Sequence, residues 1–339
     1  MSAQFKDIKE MAIGKERGLL IAAGISESVT NGKNQPCPMC GGRDRFRYTN
    51  FNNDGLYICS QCGKGSWIDL LKFQLSTDFI GVVEFVKKNL GVVNMEHPKQ
   101  INHGVNRARL DKIQAGCRKI TKGDPVDLYL TNRGLSVRPD FDISYNPSVA
   151  YWEEVNGEMT KTGEHPAMIA GLRTNDVDYV TKNGFTVYRR TSYKVTFLTA
   201  DGHKANVKIQ KKLMPPERDI SGSAVRMFKA TDTIAVAEGI ETALAYYQDT
   251  GIPSWSCDCA SNLERFMPPD VVKNVVIIAD DDESFTGYAS AFVLAKRLKA
   301  KGINVNVVGI LEGVGDGYHV FTGKKRDYLD YFNTKVLTD

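Results

Sequence analysis

NVVIIADDDESFTGYASAFVLAKRLKAKGINVNVVGIL, residues 274–311, places one long helical run between two short, apolar, β-prone runs. The first run, NVVIIA, ends on Asp280, Asp281 and Asp282. Helical periodicity then runs through TGYASAFVLAKRLKAKG, and INVNVVGIL reads as a second strand. Upstream the same alternation repeats: TIAVAEG (233–239) as strand and turn, IETALAYYQDTG (240–251) as helix, PSWSC (253–257) as a short strand. Apolar strands alternating with helices predict a parallel α/β sheet.

In such a sheet the residues just past the strands' carboxyl ends line the ligand crevice. Glu238, followed by Gly239, ends one strand, and the three aspartates end the other. If these strands are neighbours, the acids meet. Clustered carboxylates raise each other's pKa unless a cation compensates, and hard oxygen ligands suit Mg²⁺ or Mn²⁺. Strand alternation predicts that Asp280 and Asp282 point one way and Asp281 the other. Glu241 falls in a first helical turn, where the helix dipole alone accounts for a carboxylate, and Glu283 reads as peripheral. Asp327 and Asp330, in GKKRDYLDYF beside Lys324, Lys325 and Arg326, fit either a second metal site or an exposed helix start.

Working outward, CPMCGGRDRFRYTNFNNDGLYICSQCGKG (37–65) holds two Cys-x2-Cys pairs, Cys37/Cys40 and Cys59/Cys62. That spacing predicts two knuckles converging on one zinc ion. Gly41, Gly42, Gly63 and Gly65 allow the tight backbone a knuckle needs. Four thiolates close the tetrahedron and leave no position for substrate, so the zinc is structural. Arg43, Arg45 and Arg47 alternate with Phe46 and Tyr48, so on a strand they share one face, suited to the phosphates and bases of a single strand. Strands FRYTNF and LYICS are expected here, with helices over 5–24, from a Ser66 cap through WIDLLKFQL, and in FIGVVEFVKKNLG.

The 339 residues allow two or three domains, and 42% hydrophobic with 25% charged residues fits a globular chain. A net charge of +4 is too small to identify nucleic acid as a partner by itself. No apolar run is long enough to span a bilayer, and MSAQFKDIKEMAIGKERG lacks an apolar signal core. A cytoplasmic location is therefore expected, with Cys117, Cys257 and Cys259 as reduced thiols. The expected organisation is multidomain. Residues 1–92 form a zinc ribbon (small β with flanking helices), and 93–108, rich in Pro, Gly, Asn and charge, form a linker. Residues 109–230 form an α+β basic subdomain, and 231–339 an α/β, Rossmann-like domain. The basic subdomain carries Arg133 and then Arg189, Arg190, Lys194, His203, Lys204, Lys208, Lys211, Lys212 and Arg226 among few acids, a density fitting a groove for nucleic acid and triphosphate.

AVAEGIETALA and VIIADDDESFTGYASAFVLAKRL together resemble the TOPRIM domain of bacterial-type primases, topoisomerases and some nucleases. CPMCGGRDRFRYTN…YICSQCGKGSWIDLL resembles the zinc-binding domain of phage and plasmid DNA primases, most closely the P4-type group. YLTNRGL and TFLTADGHKA resemble the segment before TOPRIM in that group. The resemblance implies that Glu238, Asp280 and Asp282 bind divalent metal, and matches Asp327 and Asp330 weakly to a third acidic motif. Its usual DxDxAG is stretched to DDDESFTG here, which puts the placing of Gly287 in question. It implies template-directed RNA primer synthesis on single-stranded DNA from ribonucleoside triphosphates. By that resemblance the 3′-hydroxyl of one nucleotide attacks the α-phosphate of the next and pyrophosphate leaves, with Glu238 as ligand or general base. The zinc ribbon would read the template.

Three other readings compete. A fused helicase needs a GxxxxGK[ST] loop; GYHVFTGKK has the wrong spacing, so a helicase is expected on a separate chain. A TOPRIM nuclease would share the metal chemistry. A non-enzymatic origin-binding or single-strand-binding protein would have little use for the EG and DxD acids, which repel DNA without metal.

Overall fold

Gly14 interrupts the first expected helix. Its φ of +75° is left-handed, and residues 8–11 and α1 (Glu16–Ala22) are separate helical pieces on either side of it. Gly24, at φ +92°, ends α1 as expected. The computed structural model describes residues 8–49, 55–93, 103–182, 186–309, 312–314, 318–320 and 327–338. The chain divides into two compact units, 1–101 and 102–339.

The first unit is built on a four-stranded antiparallel sheet: β1 (Gln35–Cys37), β2 (Gly41–Thr49), β3 (Leu56–Cys59) and β4 (Gly63–Ser66), in that order. Alternation decides which side chains go in. Phe46, Tyr48, Tyr57 and Cys59 are buried, while Arg43 and Arg47 stand outside. The core is closed by Leu19 and Leu20 of α1, by Trp67, Ile68, Leu70 and Leu71 of α2 (Trp67–Gln74), and by Val82 and Val86 of α3 (Phe79–Asn89). Asp69 accepts from both the N–H and the hydroxyl of Ser66 at the start of α2, and Asp78 caps α3 by accepting from Gly81 N–H.

The second unit opens with α4 (His103–Ala115), so the expected linker is helical from residue 103. The helix is mostly polar, which hides its periodicity. It is held by buried Leu110 and by Asn106, whose amide donates to the Pro216 carbonyl at 2.9 Å. After α5 (Pro125–Asn132) comes an antiparallel meander: β5 (Ile143–Val155), the 23-residue β6 (Glu158–Val180), β7 (Thr186–Phe197) and β8 (Lys211–Leu213). YVTKNGFTVYRR and YKVTFLTADG, read as separate strands, divide otherwise: β7 is one strand running from Thr186 across both. KANVKIQKKL is strand only at its last three residues.

The short β9 (Ala224–Val225) joins this meander to β10 (Thr233–Ala237), β11 (Ser254–Ser256), β12 (Asn274–Ile278) and β13 (Asn304–Val308). The sheet order is β13-β12-β10-β11-β9-β6-β7-β8, with β5 on β6. Strands β13, β12, β10 and β11 are parallel, and the remaining pairs are antiparallel. The basic subdomain and the α/β domain therefore share one sheet. Helices α6 (Ile240–Thr250), α7 (Ala260–Arg265) and α8 (Thr286–Lys299) are the crossovers, a hairpin of β14 (Glu312–Val314) and β15 (Tyr318–Val320) follows, and α9 (Tyr328–Thr338) comes last. Two cores lie on the α/β strands. One packs α5, α6 and α9 around Ala235, Ala237 and Ile278, and the other packs α8 on Val236, Val275 and Ile277. Among the described residues no helix is long and apolar enough to cross a membrane.

Candidate active site and zinc centre

The β1–β2 and β3–β4 turns bring the four cysteines together. Their sulfurs all lie within 4.8 Å of one another, and among the described residues they are the one such group of three or more potential metal ligands. Four sulfurs at about 2.3 Å from a tetrahedral zinc stand about 3.8 Å apart. Cys40 and Cys59 are at 3.6 Å, Cys37 and Cys62 at 3.9 Å. Backbone N–H groups of Met39 and Cys62 point at Cys37 and Cys59, each at 3.4 Å. Burial opposes ionisation of Cys59, but the N–H groups of Cys62 and Gln61 outweigh it and hold this thiol below its usual range. Gly41, Gly42 and Gly63 are all left-handed. The donor set, spacing and N–H···S pattern fit a closed zinc site.

In the second unit, β10 and β12 are neighbours, paired from Thr233–Asn274 to Val236–Ile277. Glu238 and Asp280 therefore emerge side by side at one sheet end. Burial, then the charge of Asp282, pushes the Glu238 carboxyl up to about 7. Burial, then Glu238, Asp327, Asp282 and Asp330, does the same to Asp280. The Oδ1 atom of Asp280 is buried and has no hydrogen-bond partner. A buried, unpaired carboxylate oxygen among other acids is the chemistry that binds a hard divalent cation, so the donor set suits Mg²⁺ or Mn²⁺, while the Glu238, Asp280 and Asp282 oxygens do not all lie within 4.8 Å of one another.

Asp282 is tied into the turn that follows it. Its Oδ1 accepts from the Ser284 N–H at 2.9 Å, the Ser284 hydroxyl at 2.6 Å and the Thr286 N–H at 3.0 Å, and its Oδ2 from the Gly287 N–H at 2.7 Å. Burial opposes its charge, but these donors bring it below the usual carboxylate range. The stretched turn is absorbed by Phe285 in a left-handed conformation, φ +56°, and Gly287 still lies against the Asp280 backbone. Asp281, expected to turn away, is fully buried. Asp327 and Asp330 start α9 by reciprocal capping, each accepting from the other's N–H at 3.1 Å. Both act electrostatically on Asp280, so a helix start and an acid beside the crevice coincide. Lys324, Lys325 and Arg326 lie outside the described residues.

Residues 32–68 match the family model described as the zinc-binding domain of primase-helicase, and residues 233–328 match that of the Toprim domain. The chain thus carries a primase-type zinc-binding domain followed by a Toprim domain. Residues 105–227, between these two, match a domain of unknown function. Among solved structures the chain is similar to the zinc-binding and RNA polymerase domains of the Aquifex aeolicus primase. There the identity is 14% over 93% of this chain and 81% of that one, with a TM-score of 0.40. The primase fragment of the bacteriophage T7 primase-helicase is 15% identical over 90% and 98%, TM-score 0.33. A primase domain from Pseudomonas aeruginosa is 13% identical over 70% and 83%, TM-score 0.38.

Against this primase framework the basic residues separate into groups. Lys194 lies near the crevice: its ammonium is 2.8 Å from Asp258, just past β11, and the field of Asp258 reaches Glu238. Lys211 pairs with Glu241 at 2.7 Å, and the Tyr129 hydroxyl donates to the same oxygen at 2.5 Å. Lys204 and Arg133 stand nearby: burial, then Lys211, lowers the Lys204 pKa, and Arg133 adds to it. Arg133 also acts on Asp327. Lys208 and His203 are exposed.

Arg226 does not belong to a nucleic-acid surface. It is 5% exposed, donates to the Thr174 carbonyl and Asn175, and lies 3.6 Å from the centre of the Tyr188 ring. Its position immediately after the short connecting strand β9 puts it inside the sheet junction. Lys212 is likewise committed, with its ammonium 3.7 Å from the Tyr151 ring centre and bonded to the Trp152 carbonyl. Arg190 pairs with Glu217 and Asp111, and Arg189 is exposed, 4.0 Å from Asp178. In the ribbon Arg43 and Arg47 are exposed and Arg45 half-buried, but Phe46 and Tyr48 are core and offer no ring to a base. Their places on the outer face fall to Leu56 and Ile58, with Ile58 between Arg47 and Lys64 in register. The sequence reading missed Glu241 and Asp258. Three-residue spacing from Glu238 was the available signal for Glu241; nothing local marked Asp258.

Proposed function

We propose that this chain is a DNA primase that joins ribonucleotides into short RNA primers on a single-stranded DNA template. The observation that carries the proposal is the crevice: Glu238 and the unpaired Asp280 oxygen at the ends of adjacent parallel strands, flanked by cations from the preceding subdomain. A divalent ion, Mg²⁺ or Mn²⁺, held by Glu238, Asp280 and Asp282 would supply charge neutralisation at the α-phosphate and lower the pKa of the attacking 3′-hydroxyl. Around it the chain's own residues orient and compensate. Lys194, Lys204, Lys211 and Arg133 offer positive charge to triphosphate and template. Asp282 fixes the turn after Asp280, and Asp327 adds negative charge that acts on Asp280. Asp330 contributes the same field.

The ribbon's outer face, with Arg43, Arg45, Arg47, Leu56 and Ile58, is assigned to the template strand, where cations meet phosphates and aliphatic side chains meet bases. Lys208, exposed near Tyr151, offers the template a separate cation. Ribonucleoside triphosphates and a replicative helicase complete the partners, in the cytoplasm.

The test is direct. Protein, single-stranded DNA, ribonucleotides and Mg²⁺ or Mn²⁺ are expected to give short labelled RNA, with the signal gone in Asp280→Ala. Cleaved template without RNA would establish a nuclease instead, and DNA binding with neither product a non-enzymatic module.

A further inference from the structure

Lys211 and Lys212 are adjacent on β8 and point to opposite faces of the sheet. Lys212 packs on Tyr151, on the face away from the crevice helices. Lys211 is paired in register with Thr196, on the face that carries Met168 and packs against α5 and α6. There it meets Glu241 in the first turn of α6, three residues after Glu238, so one strand-end turn positions both acids.

The ion pair is lopsided. The Glu241 side chain is 7% exposed, that of Lys211 35%. The carboxylate is also gripped from behind by the Tyr129 hydroxyl of α5. Packing does not require a charge here, because an uncharged side chain of the same size fills the same space without desolvating a carboxylate. Burial would push the Glu241 carboxyl up; Lys211 and Tyr129 overcome it and hold the group at about 2, so it is charged at working pH. The charged end presented outward is the ammonium, with Lys204 and Arg133 beside it, so cations outnumber the single buried anion. A free lysine samples many rotamers, and fixing one in advance removes that entropy cost from ligand binding.

We propose that Glu241 is a positioning residue whose buried carboxylate, clamped by Tyr129, holds the Lys211 ammonium at the crevice wall as a fixed contact for the phosphates of the incoming ribonucleotide. This rests on the primase reading above. Glu241 touches no substrate and acts through Lys211.

The experiment is a double-mutant cycle read two ways: primer synthesis (KM for ribonucleotide against kcat) and equilibrium binding of a fluorescent ATP analogue. Glu241→Gln keeps the shape and removes the charge. It is expected to raise KM and weaken ATP-analogue binding roughly tenfold while kcat changes less, the pattern of lost binding. Lys211→Ala is expected to lose at least as much. The decisive result is in the pair: Lys211→Ala/Glu241→Gln should match Lys211→Ala alone. Additive losses, or an unchanged KM in Glu241→Gln, overturn the proposal. If Glu241→Gln does not fold, Tyr129→Phe takes its place, raising KM in the wild-type background and leaving it unchanged in Lys211→Ala. If the wild type makes no primer, the primase reading fails by that result, and the binding cycle alone still decides whether Glu241 works through Lys211.

Discussion

The Gly287 N–H donates to Asp282 at 2.7 Å, and the bare Cα of Gly287 lies against the backbone of Asp280, where an added Cβ would meet the Asp280 carbonyl oxygen at 2.3 Å. One residue thus ties the start of α8 to two of the three crevice acids. Gly287 lies within a helix and outside the left-handed region, so the constraint is purely steric. Gly287→Ala must push the helix from the strand end. The expected cost is overpacking, about 1–3 kcal/mol, seen as a lower Tm, together with loss of primer synthesis. An alanine variant with wild-type Tm and activity would show that the contact is not a constraint.

The crevice acids set a pH dependence. Glu238 and Asp280 are raised to about 7 in the fold, from about 4 in an unfolded chain. Their protonated forms are thus favoured by folding. This contribution is fully present at low pH and is lost as pH rises from about 4 to about 7, at up to roughly 1.4 kcal/mol per pH unit for each group. Asp280→Asn removes one of the two. The metal-free variant should therefore lose less Tm than the wild type between pH 5 and 7, the interval set by those values. Because a cation competes with the same protons, apparent Mg²⁺ affinity should climb through this range and level off above it. A metal affinity independent of pH between 5 and 8 would contradict the assignment.

Much of this was legible in the sequence, and the reasons are physical. Strands β10, β11, β12 and β13 are apolar runs bounded by glycines, acids and helices, so periodicity finds them. The cysteine pairs declare themselves because thiolate spacing and knuckle glycines are local. What escaped is non-local. Glu241 looks like any acid in a first helical turn until Lys211, 30 residues earlier, is seen beside it. Arg226 looks like part of a basic run, yet β9 carries it into the junction between two halves of a sheet. His103–Arg107 looks like linker because that helix is anchored by a polar residue, Asn106, rather than by an apolar stripe.

Zinc removal should be felt by the first unit alone. Cys37 and Cys59 belong to its core along with Phe46, Tyr48 and Trp67. Four uncompensated thiols at that position leave the β1–β4 sheet without its main cross-link, since structural zinc contributes folding free energy outright. Chelation of the full chain, or Cys59→Ser, should abolish one calorimetric transition and leave the other in place. The residual transition should remain sensitive to Asp280→Asn. Loss of both transitions together would mean that the two units fold as one.

The arginines give the sharpest contrast. Arg47 stands exposed in a row with Ile58 and Lys64, whereas Arg226 is buried between Tyr188 and Trp255. A phosphate contact shows itself in salt dependence: each one lost lowers the slope of log affinity against log salt by about 0.7 for a single strand. Arg47→Ala should weaken single-stranded DNA binding across unrelated sequences and reduce that slope, with little change in Tm. Arg226→Lys should do the reverse. A lysine cannot keep both the paired donations to Thr174 and Asn175 and the stacking on Tyr188, so Tm should drop while the salt slope stays. Equal salt slopes for wild type and Arg47→Ala would remove the ribbon face from the template path.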